Sequence, residues 1–416
     1  MGDSKALFDG GGDGKMTKMS RRSFLKGAAA AAALVSVGGV THAVKQGAFS
    51  TGSGPAYEPW HTWEKVEEGD LPLLRIVRAS VLAANAHNTQ PWLYRIGDRS
   101  IDLFADVSRN IGTIDPWLRE MYISLGCAVE NAALAARAYG YRPDIKLYSG
   151  GLERIHVAGI SLEEGPEEPS ELYRAIGNRH TNRAAYDSEK PVEDSVMREL
   201  EKLTDSRDDA RIVWFADDAG RREMGKLIVG ATEAVASDRK QSADSHRWFR
   251  NDWGEIQRHK DGPTMDATGN SSFTRFIGKL FPVSEQTSND YWMKATKNTY
   301  VATASAFGTI AIKDQTDRVQ LMQAGRLWQR MHLWTAANGL AAQPLNQPHE
   351  RRDRELQLGI EPVFGRELAR LVNKPGYEGV FTFRLGYPIS RGLPSPRRSA
   401  EEVLLGASNP TPSPSR

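Results

Sequence analysis

Residues 85–92, N-A-H-N-T-Q-P-W, form the first segment whose side chains could bind a ligand. Asn85, Asn88 and Gln90 each offer an amide donor and an amide acceptor within one short stretch. Asparagine and proline are also typical of turns, so the same residues could satisfy one another, with Trp92 in the core. The segment is therefore a candidate wall of a binding site, and a self-satisfied turn is the alternative.

Residues 179–183, R-H-T-N-R, form the second such segment. The guanidinium groups of Arg179 and Arg183 flank the Thr181 hydroxyl. Guanidinium forks match phosphate oxygens, and each charge-assisted hydrogen bond contributes about 1.5–3 kcal/mol. A phosphate site and a solvated basic turn that pairs with the acidic residues after it fit this spacing equally well.

The rest of the sequence gives little support to catalysis by side chains alone. It lacks a phosphate-loop motif, a dinucleotide-binding glycine fingerprint, a G-x-S-x-G nucleophile motif, and paired His or Cys at metal spacing. Cys127, the single cysteine, lies in an Ala-rich helical pattern that predicts a small buried residue. A formal net charge of +2 predicts no broad attraction to nucleic acid. We therefore expect a bound cofactor and no metal site.

Residues 1–43 have the features of an export signal. S-R-R-S-F-L-K (20–26) precedes an Ala-rich apolar run and resembles a twin-arginine translocation signal, with cleavage expected after Ala43. The run is about 14 residues and a spanning helix needs about 20, so we expect no stable membrane anchor, although retention of the signal stays open. The pathway exports folded chains. We expect its translocation machinery as a partner, and a periplasmic or other extracytoplasmic location.

Hydrophobic periodicity predicts two successive rounds of helices and strands. The first comprises a helix over 70–84, strands around a Gly97-Asp98 turn, a helix from Asp115-Pro116 to Gly140, and strands at 144–149 and 154–162. The second comprises helices at 193–204, 219–237 and 318–338 and strands at 211–216 and near the C-terminus. The stretch EEGPEEPSE (163–171) separates them. We therefore expect an N-terminal half over 44–165, a C-terminal half over 166–396 and a tail over 397–416.

Two of the predicted helices share a pattern that indicates an internal duplication. GCAVENAALAARAYG begins at Gly126 and GRLWQRMHLWTAANG begins at Gly325. Both have leucine eight positions on, alanine twelve on and glycine fourteen on. Helices rich in alanine and leucine also match by chance, so the pattern alone leaves duplication and coincidence equally open.

Residues 238–300 interrupt the second round with a polar segment that contains aromatic residues and has poor helical periodicity. Its length far exceeds that of an ordinary connection, so it could be a lid over a site. A small helical subdomain with no role at the site is the alternative.

Together the two polar segments resemble the nitroreductase superfamily. A-A-N-A-H-N-T-Q-P-W (83–92) resembles the family motif A-P-S-x-x-N-x-Q-P-W, and R-H-T-N-R-A-A-Y (179–186) resembles R-R-S-x-R-x-F. Family subunits carry the second motif first, whereas here it begins the second half. This order resembles the Acg-like members, in which two nitroreductase-type halves are fused in one chain. Residues 115–128, 343–350 and 384–398 add to the agreement.

The resemblance implies an α+β fold, a duplicated nitroreductase-like fold of two fused halves. Each half would have a mixed or antiparallel sheet and packed helices, and one monomer would imitate the usual dimer. Because each half keeps one motif, we expect one FMN site. The implied FMN-binding residues are Arg179, Thr181 and Arg183 with Arg397 or Arg398 at the phosphate, Asn85, Asn88 and Gln90 at the ring or ribityl edge, and Pro344-Leu345 near the reactive ring nitrogen.

The implied activity is hydride transfer from NAD(P)H through FMN to a nitro compound, a quinone or a similar small-molecule acceptor. The alternative is a non-catalytic protein that sequesters or stores FMN under a lid. The chain also departs from the family pattern. Ala84-Asn85 replaces Pro-Ser, so an Asn amide would have to provide the serine contact, and His180 stands where a second arginine is common.

Overall fold

The computed structural model describes residues 37–148, 155–206 and 208–406. These residues form eight β-strands and fourteen α-helices. The strands are β1 Trp92–Ile96, β2 Ser100–Ala105, β3 Tyr141–Leu147, β4 His156–Glu164, β5 Arg211–Phe215, β6 Ala306–Ile312, β7 Ala341–Pro344 and β8 Glu378–Gly386. The helices are α1 Val37–Lys45, α2 Pro59–Thr62, α3 Leu74–Ser80, α4 Arg119–Ala138, α5 Glu171–Arg174, α6 Asp194–Glu201, α7 Asp218–Ser237, α8 Arg239–His246, α9 Trp253–His259, α10 Ser272–Leu280, α11 Glu285–Ala295, α12 Arg318–Ala337, α13 Gln347–Leu358 and α14 Val363–Val372.

Each half contains one four-stranded antiparallel sheet, and the two sheets have the same topology. The first has the order β1-β2-β4-β3 and the second has the order β5-β6-β8-β7. In each half a 20-residue helix, α4 or α12, connects the second strand to the third. The repeated strand order and helix agree with the duplication that the glycine-bounded helix patterns indicated. The α+β fold with two antiparallel sheets is confirmed.

Helices α4 and α12 pack against each other at two glycines. A Cβ atom added to Gly126 would lie 2.1 Å from the carbonyl oxygen of Met322, and one added to Gly325 would lie 2.0 Å from that of Ile123. Only a residue without Cβ allows the backbones to approach so closely. One hydrophobic cluster contains residues of both helices and both sheets. The two halves therefore share a core.

Helix α4 begins later than the Asp115-Pro116 pair predicted. The residue before it, Leu118, has a left-handed φ of 63°, so the helix starts only at Arg119. The Asp115 carboxylate still caps the helix, because it accepts hydrogen bonds from the backbone N–H groups of Glu120 and Met121 at 3.1 and 3.0 Å. The predicted stop is confirmed, since α4 ends at Ala138, shortly before the glycine at 140.

Residues 238–300 are largely helical, although their sequence has poor helical periodicity. They contain α8, α9, α10, α11 and most of a π-helix, Thr296–Val301. Each of the four α-helices has a side-chain N-cap, from Asp238, Asp252, Ser271 and Ser284 respectively. Short capped helices do not need a long apolar stripe, which fits the poor periodicity over α8, α9 and α11. Helix α10 differs, because Phe273, Phe276, Ile277 and Leu280 recur at helical spacing within it.

The predicted signal lies mostly outside the described residues, and so do residues 407–416 of the predicted tail. The described part of the signal begins with α1, which runs through the expected cleavage point, and Ala43 is fully buried there. None of the helices among the described residues combines the length and apolar character needed to cross a membrane.

Candidate functional site

The loop between α3 and β1 adopts a backbone conformation that is rare for residues other than glycine. His87, Asn88 and Gln90 have φ angles of 46°, 52° and 53°. Asparagine and histidine tolerate this left-handed region better than most residues, yet each instance costs about 1–3 kcal/mol. Such conformations persist only where the surroundings hold them, and they cluster at ligand-binding sites.

Hydrogen bonds to the rest of the protein hold this loop in place. The Asn85 Oδ1 atom accepts a bond from the backbone N–H of Gln90 at 2.8 Å, and Gln90 Nε2 donates to the carbonyl of Lys260 at 2.7 Å. Gln90 and Trp92 are fully buried. The alternative of a self-satisfied turn therefore describes Gln90 and Trp92, whereas Asn85 and Asn88 border a cavity.

Arg179 and Arg183 are mostly buried and have no acidic partner among the described residues. Arg179 is 2% exposed; its Nη2 donates to the carbonyl of Leu82 at 2.9 Å, whereas its Nε has no partner. Arg183 Nη1 donates to the carbonyl of Ala267 at 3.0 Å. The alternative of a solvated turn paired with nearby carboxylates is therefore excluded for these two side chains.

Arg397 adds a third buried guanidinium group from the C-terminal tail. It is 3% exposed, and its Nε has no partner. Its Nη1 donates to Asn88 Oδ1, and its Nη2 donates to the carbonyl of Ala83 at 3.2 Å. Asn88 in turn donates from Nδ2 to the carbonyl of Pro396 at 2.9 Å. The amide loop and the tail therefore hold each other in position.

These side chains surround a cavity between the two halves, and its empty space of about 440 Å³ includes the solvent at its opening. It is lined by Trp60, Ala84, Asn85, His87, Asn88, Arg179, His180, Thr181, Arg183, Pro263, Leu393, Ser395 and Arg397. A second cavity of about 280 Å³ shares three of these residues, Thr181, Arg183 and Leu393.

Burial and positive charge together determine the electrostatics of the cavity. Burial lowers the pKa of Arg179 to about 10, and burial with the neighbouring charge of Arg179 holds the pKa of Arg397 well below its usual value. Burial, and next the charge of Arg183, lowers the pKa of His87 to about 4. Burial, and next the charge of Arg179, lowers the pKa of His180 to about 3. Both imidazoles are therefore neutral at pH 7. An anion bound here would offset the desolvation of the arginines.

Four residues that the sequence placed at the site do not line the cavity. The Gln90 side chain instead anchors the loop through its hydrogen bond to the carbonyl of Lys260. Arg398 contacts Gln90 instead of the cavity. Its backbone N–H donates to Gln90 Oε1 at 2.8 Å, and its Nη2 donates to the carbonyl of Gln90. Pro344 ends β7, and Leu345 packs into a separate hydrophobic cluster. Of the two C-terminal arginines, the one at the cavity is Arg397.

Trp60 lines the cavity and His332 lies beside Arg179, and sequence reasoning missed both. The ring centroid of Trp60 lies 4.8 Å from Arg397 Cζ and 5.8 Å from Arg179 Cζ. His332 Nδ1 lies 3.4 Å from Arg179 Nη1. Trp60 lies far from either motif in sequence, and His332 has the context of an ordinary core position in α12. Neither residue gave a local signal.

The loop between α9 and α10, residues 260–271, contacts both polar segments and contributes Pro263 to the lining of the cavity. The backbone N–H of Gly262 donates to the carbonyl of Asn88, and Asn88 Nδ2 donates to the carbonyl of Gly262, both at 3.2 Å. A Cβ atom added to Gly269 would lie 2.3 Å from the carbonyl carbon of Arg183. Part of the 238–300 segment therefore lies directly against both polar segments at the cavity.

Known proteins resemble this chain in two respects. Residues 18–38 match the family model described as TAT (twin-arginine translocation) pathway signal sequence. Acg of Mycobacterium tuberculosis, named as an NAD(P)H nitroreductase, is 23% identical over 314 residues, which are 73% of this chain and 89% of Acg. A second M. tuberculosis protein with that name is 29% identical over 113 residues, or 27% of this chain. The matched region spans only 33% of that second relative.

A solved nitroreductase structure from Anabaena variabilis aligns with a TM-score of 0.41 and 12% identity, over 70% of this chain and 69% of its own. The resemblance to the nitroreductases and the twin-arginine signal that the motifs indicated are confirmed by the sequence relatives and the signal model. By sequence, the chain is similar over most of its length to a protein named as an NAD(P)H nitroreductase, and it carries a twin-arginine translocation signal.

Proposed function

We propose that this protein is an exported FMN-binding oxidoreductase of the nitroreductase type. It would transfer hydride from NAD(P)H through FMN to a nitro compound, a quinone or a similar small-molecule acceptor. The observation that carries the proposal is a set of three mostly buried arginines beside one cavity, Arg179, Arg183 and Arg397, none of which has an acidic partner within the described part of the chain. The homology to a protein named as an NAD(P)H nitroreductase supports it.

The arginine side chains suit the FMN phosphate. The Nε atoms of Arg179 and Arg397 are buried without partners, and a phosphate oxygen would accept their N–H groups. The hydroxyl of Thr181, which also lines the cavity, provides a neutral donor. The phosphate charge would raise the guanidinium pKa values towards their usual range.

The amide loop suits the uncharged part of the flavin. Asn88 already bonds Arg397 and Pro396, so its first role is to hold the phosphate-binding guanidinium. Asn85 lines the same cavity, and its amide can bond the ring or ribityl edge. FMN, when bound, supplies the hydride chemistry, so we propose no catalytic side chain. His87 is neutral and lies 3.0 Å from Ser245 Oγ through Nε2, which suits a role in ordering the lid.

The asymmetry between the halves supports one FMN per chain. The amide loop precedes β1, the first strand of the N-terminal half. The segment before β5 (203–210) stands at the corresponding place in the other half, and it carries Asp205, Asp208 and Asp209 instead of amides. Ionised carboxylates accept hydrogen bonds but donate none, so they could not replace the amide donors at the flavin ring or ribityl edge. We therefore propose a monomer that acts as an intramolecular pseudo-dimer with a single site.

The 260–271 loop favours a second candidate, a protein that sequesters or stores FMN. Hydride transfer requires a donor and an acceptor to reach the flavin, and a closed lid would prevent this. Under this proposal the same arginines bind the phosphate. The two candidates differ only in whether the lid opens.

Anaerobic addition of NADPH to the purified chain distinguishes the two candidates. Under both candidates, the purified chain should show a flavin absorption spectrum and should release FMN when it is denatured. Bleaching of the flavin absorbance would support the oxidoreductase. Bound FMN that NADPH bleaches only after residues 260–271 are shortened would support sequestration, and a chain that takes up no FMN would contradict both.

We also propose that the protein functions in the periplasm or another extracytoplasmic compartment, with the twin-arginine translocation machinery as its export partner. The match of residues 18–38 to the signal model supports this location. Cell fractionation of the wild type and of Arg21→Lys/Arg22→Lys tests it. The variant should stay in the cytoplasm, and equal export of both chains would contradict the proposal.

A further inference from the structure

The second cavity adjoins the one at which the flavin site is proposed. Three segments form its walls: residues 181–184, residues 266–275 and residues 390–393. Thr181 and Arg183 line both cavities. Under the proposed function these two residues bind the FMN phosphate, so the second cavity begins where the phosphate end of the flavin would lie.

Hydrogen bonds join the walls of the second cavity to one another. Asn182 Nδ2 donates to the carbonyl of Ser390 at 2.6 Å and so joins the first wall to the third. Arg183 Nη1 donates to the carbonyl of Ala267 at 3.0 Å and so joins the first wall to the second. The cavity is therefore part of the fold rather than a gap between separate loops.

Positive charge dominates the lining of the second cavity. Arg183, Arg275 and Arg391 contribute three guanidinium groups, and Asp266 contributes a carboxylate. That carboxylate already has a cationic partner, because Lys279 Nζ lies 2.8 Å from Asp266 Oδ2 and both side chains are almost fully buried. The guanidinium groups therefore leave a positive charge that a bound anion would balance.

Each of the three guanidinium groups has N–H donors left for a ligand. Arg183 is buried and has no acidic partner among the residues that the structure describes. Arg275 Nε is buried without a hydrogen-bond partner, although it lies 3.4 Å from Asp266 Oδ1. Arg391 is exposed, and its side chain forms no ion pair with any described residue.

We propose that the second cavity is a subsite for a second phosphate group, next to the one that binds the FMN phosphate. Guanidinium forks match phosphate oxygens, and Arg183 lies between the two subsites. The inference rests on the proposed function, because the FMN phosphate defines the first subsite. Two ligands carry such a group. FAD would bring it joined to the flavin phosphate, and NAD(P)H would bring it as a separate molecule bound beside FMN.

Binding measurements on the full chain test the proposal. The variant Arg275→Met/Arg391→Ser removes two guanidinium groups that line the second cavity and not the first. Arg366→Ser/Arg370→Ser is the matched control, because both of its arginines are exposed on α14 and pair with glutamates there. Quenching of flavin fluorescence gives the dissociation constants of FMN and FAD. Calorimetric titration of the FMN-loaded chain with NADP⁺, which cannot reduce the flavin, gives the third constant.

The cavity variant should keep the FMN affinity of the wild type and should lose at least about tenfold in affinity for FAD or for NADP⁺, the effect of one charge-assisted hydrogen bond. A loss for FAD would identify the flavin diphosphate as the source of the second phosphate. A loss for NADP⁺ alone would identify the nicotinamide dinucleotide. The control variant should bind all three ligands as the wild type does.

Three results would overturn the proposal while leaving the flavin site intact. They are FMN binding by the wild type without binding of FAD or NADP⁺, unchanged affinities in the cavity variant, and an equal loss in the control. A parallel loss of FMN affinity in the cavity variant would also overturn it, because the two arginines would then support the first subsite. A wild-type chain that binds no FMN would instead contradict the proposed function, and this inference with it.

Discussion

Replacing Arg179 with methionine should stabilise the cofactor-free protein and weaken FMN binding. The guanidinium is 2% exposed, and burial lowers its pKa to about 10. Because one pKa unit corresponds to about 1.4 kcal/mol, keeping this side chain charged at pH 7 costs the folded protein about 3 kcal/mol. Loss of the hydrogen bond to Leu82 costs about 1 kcal/mol. We expect a net gain of about 1–2 kcal/mol in the free energy of unfolding.

The direction of the Arg179 pKa shift also determines how the stability of the cofactor-free protein depends on pH. The folded-state pKa of Arg179 lies below its unfolded-state value, so the wild-type cofactor-free protein should gain stability as the pH rises towards about 10 and beyond. The variant should lack that gain. Denaturant unfolding of both proteins at neutral and alkaline pH measures the difference.

FMN affinity should change in the opposite direction. One charge-assisted hydrogen bond contributes about 1.5–3 kcal/mol, so the dissociation constant should rise about 10- to 150-fold. Quenching of flavin fluorescence during titration of FMN measures this constant.

Arg330→Met is the control for this pair of effects. Arg330 Nη1 lies 2.9 Å from Glu130 Oε2, with 11% of the side chain exposed. Its loss leaves Glu130 buried without that partner, so the variant should lose stability and keep FMN affinity. Wild-type FMN affinity in Arg179→Met would refute the phosphate assignment, and a less stable cofactor-free form would refute the claim that its charge is uncompensated.

Three further predictions concern the helix crossing, a buried carboxyl group and the lid. Gly325→Ala should lower stability by about 1–3 kcal/mol or more, because its Cβ would lie 2.0 Å from a backbone oxygen of α4. Gly230→Ala is the control and should be neutral or stabilising, because the nearest neighbour of its Cβ would be 3.9 Å away. Equal melting temperatures for the two variants would contradict the close packing of α4 and α12. Burial raises the pKa of Glu120 to about 7, so the folded state holds a proton that the unfolded state loses, and stability should fall as pH rises from about 5 to 8. Glu120→Gln should flatten that profile in denaturant unfolding, and an unchanged slope would show that another group causes it. Shortening residues 260–271 should speed anaerobic bleaching by NADPH, and an unchanged rate would mean that this loop does not limit access.

Local motifs in the sequence indicated residues that the structure brings together. The amide loop and the R-H-T-N-R segment were each recognisable alone, and the structure places Asn85, Asn88, Arg179 and Arg183 at one cavity. The shared strand order and the paired glycines of α4 and α12 agree with the duplication. The glycines were visible in the sequence because two helices can pack this closely only where both carry a small residue at the contact.

The parts that depend on tertiary contacts could not be predicted. Trp60 reaches Arg397 only because the tail folds back over the amide loop, and no local pattern encodes that path. The choice between Arg397 and Arg398 depends on which way each side chain points, and adjacent residues give no signal for this. Helices α8 and α9 have side-chain N-caps and no long apolar stripe, so hydrophobic periodicity gave no sign of them.

Native mass spectrometry of the purified chain, together with its visible spectrum, tests the central claim most directly. The two halves contribute different motifs to one arginine-lined cavity, so a monomer should bind one FMN and should show flavin absorbance. Two FMN molecules per chain would contradict the asymmetric site. A chain that stays colourless and binds no added FMN would contradict the assignment of the buried arginines to a phosphate.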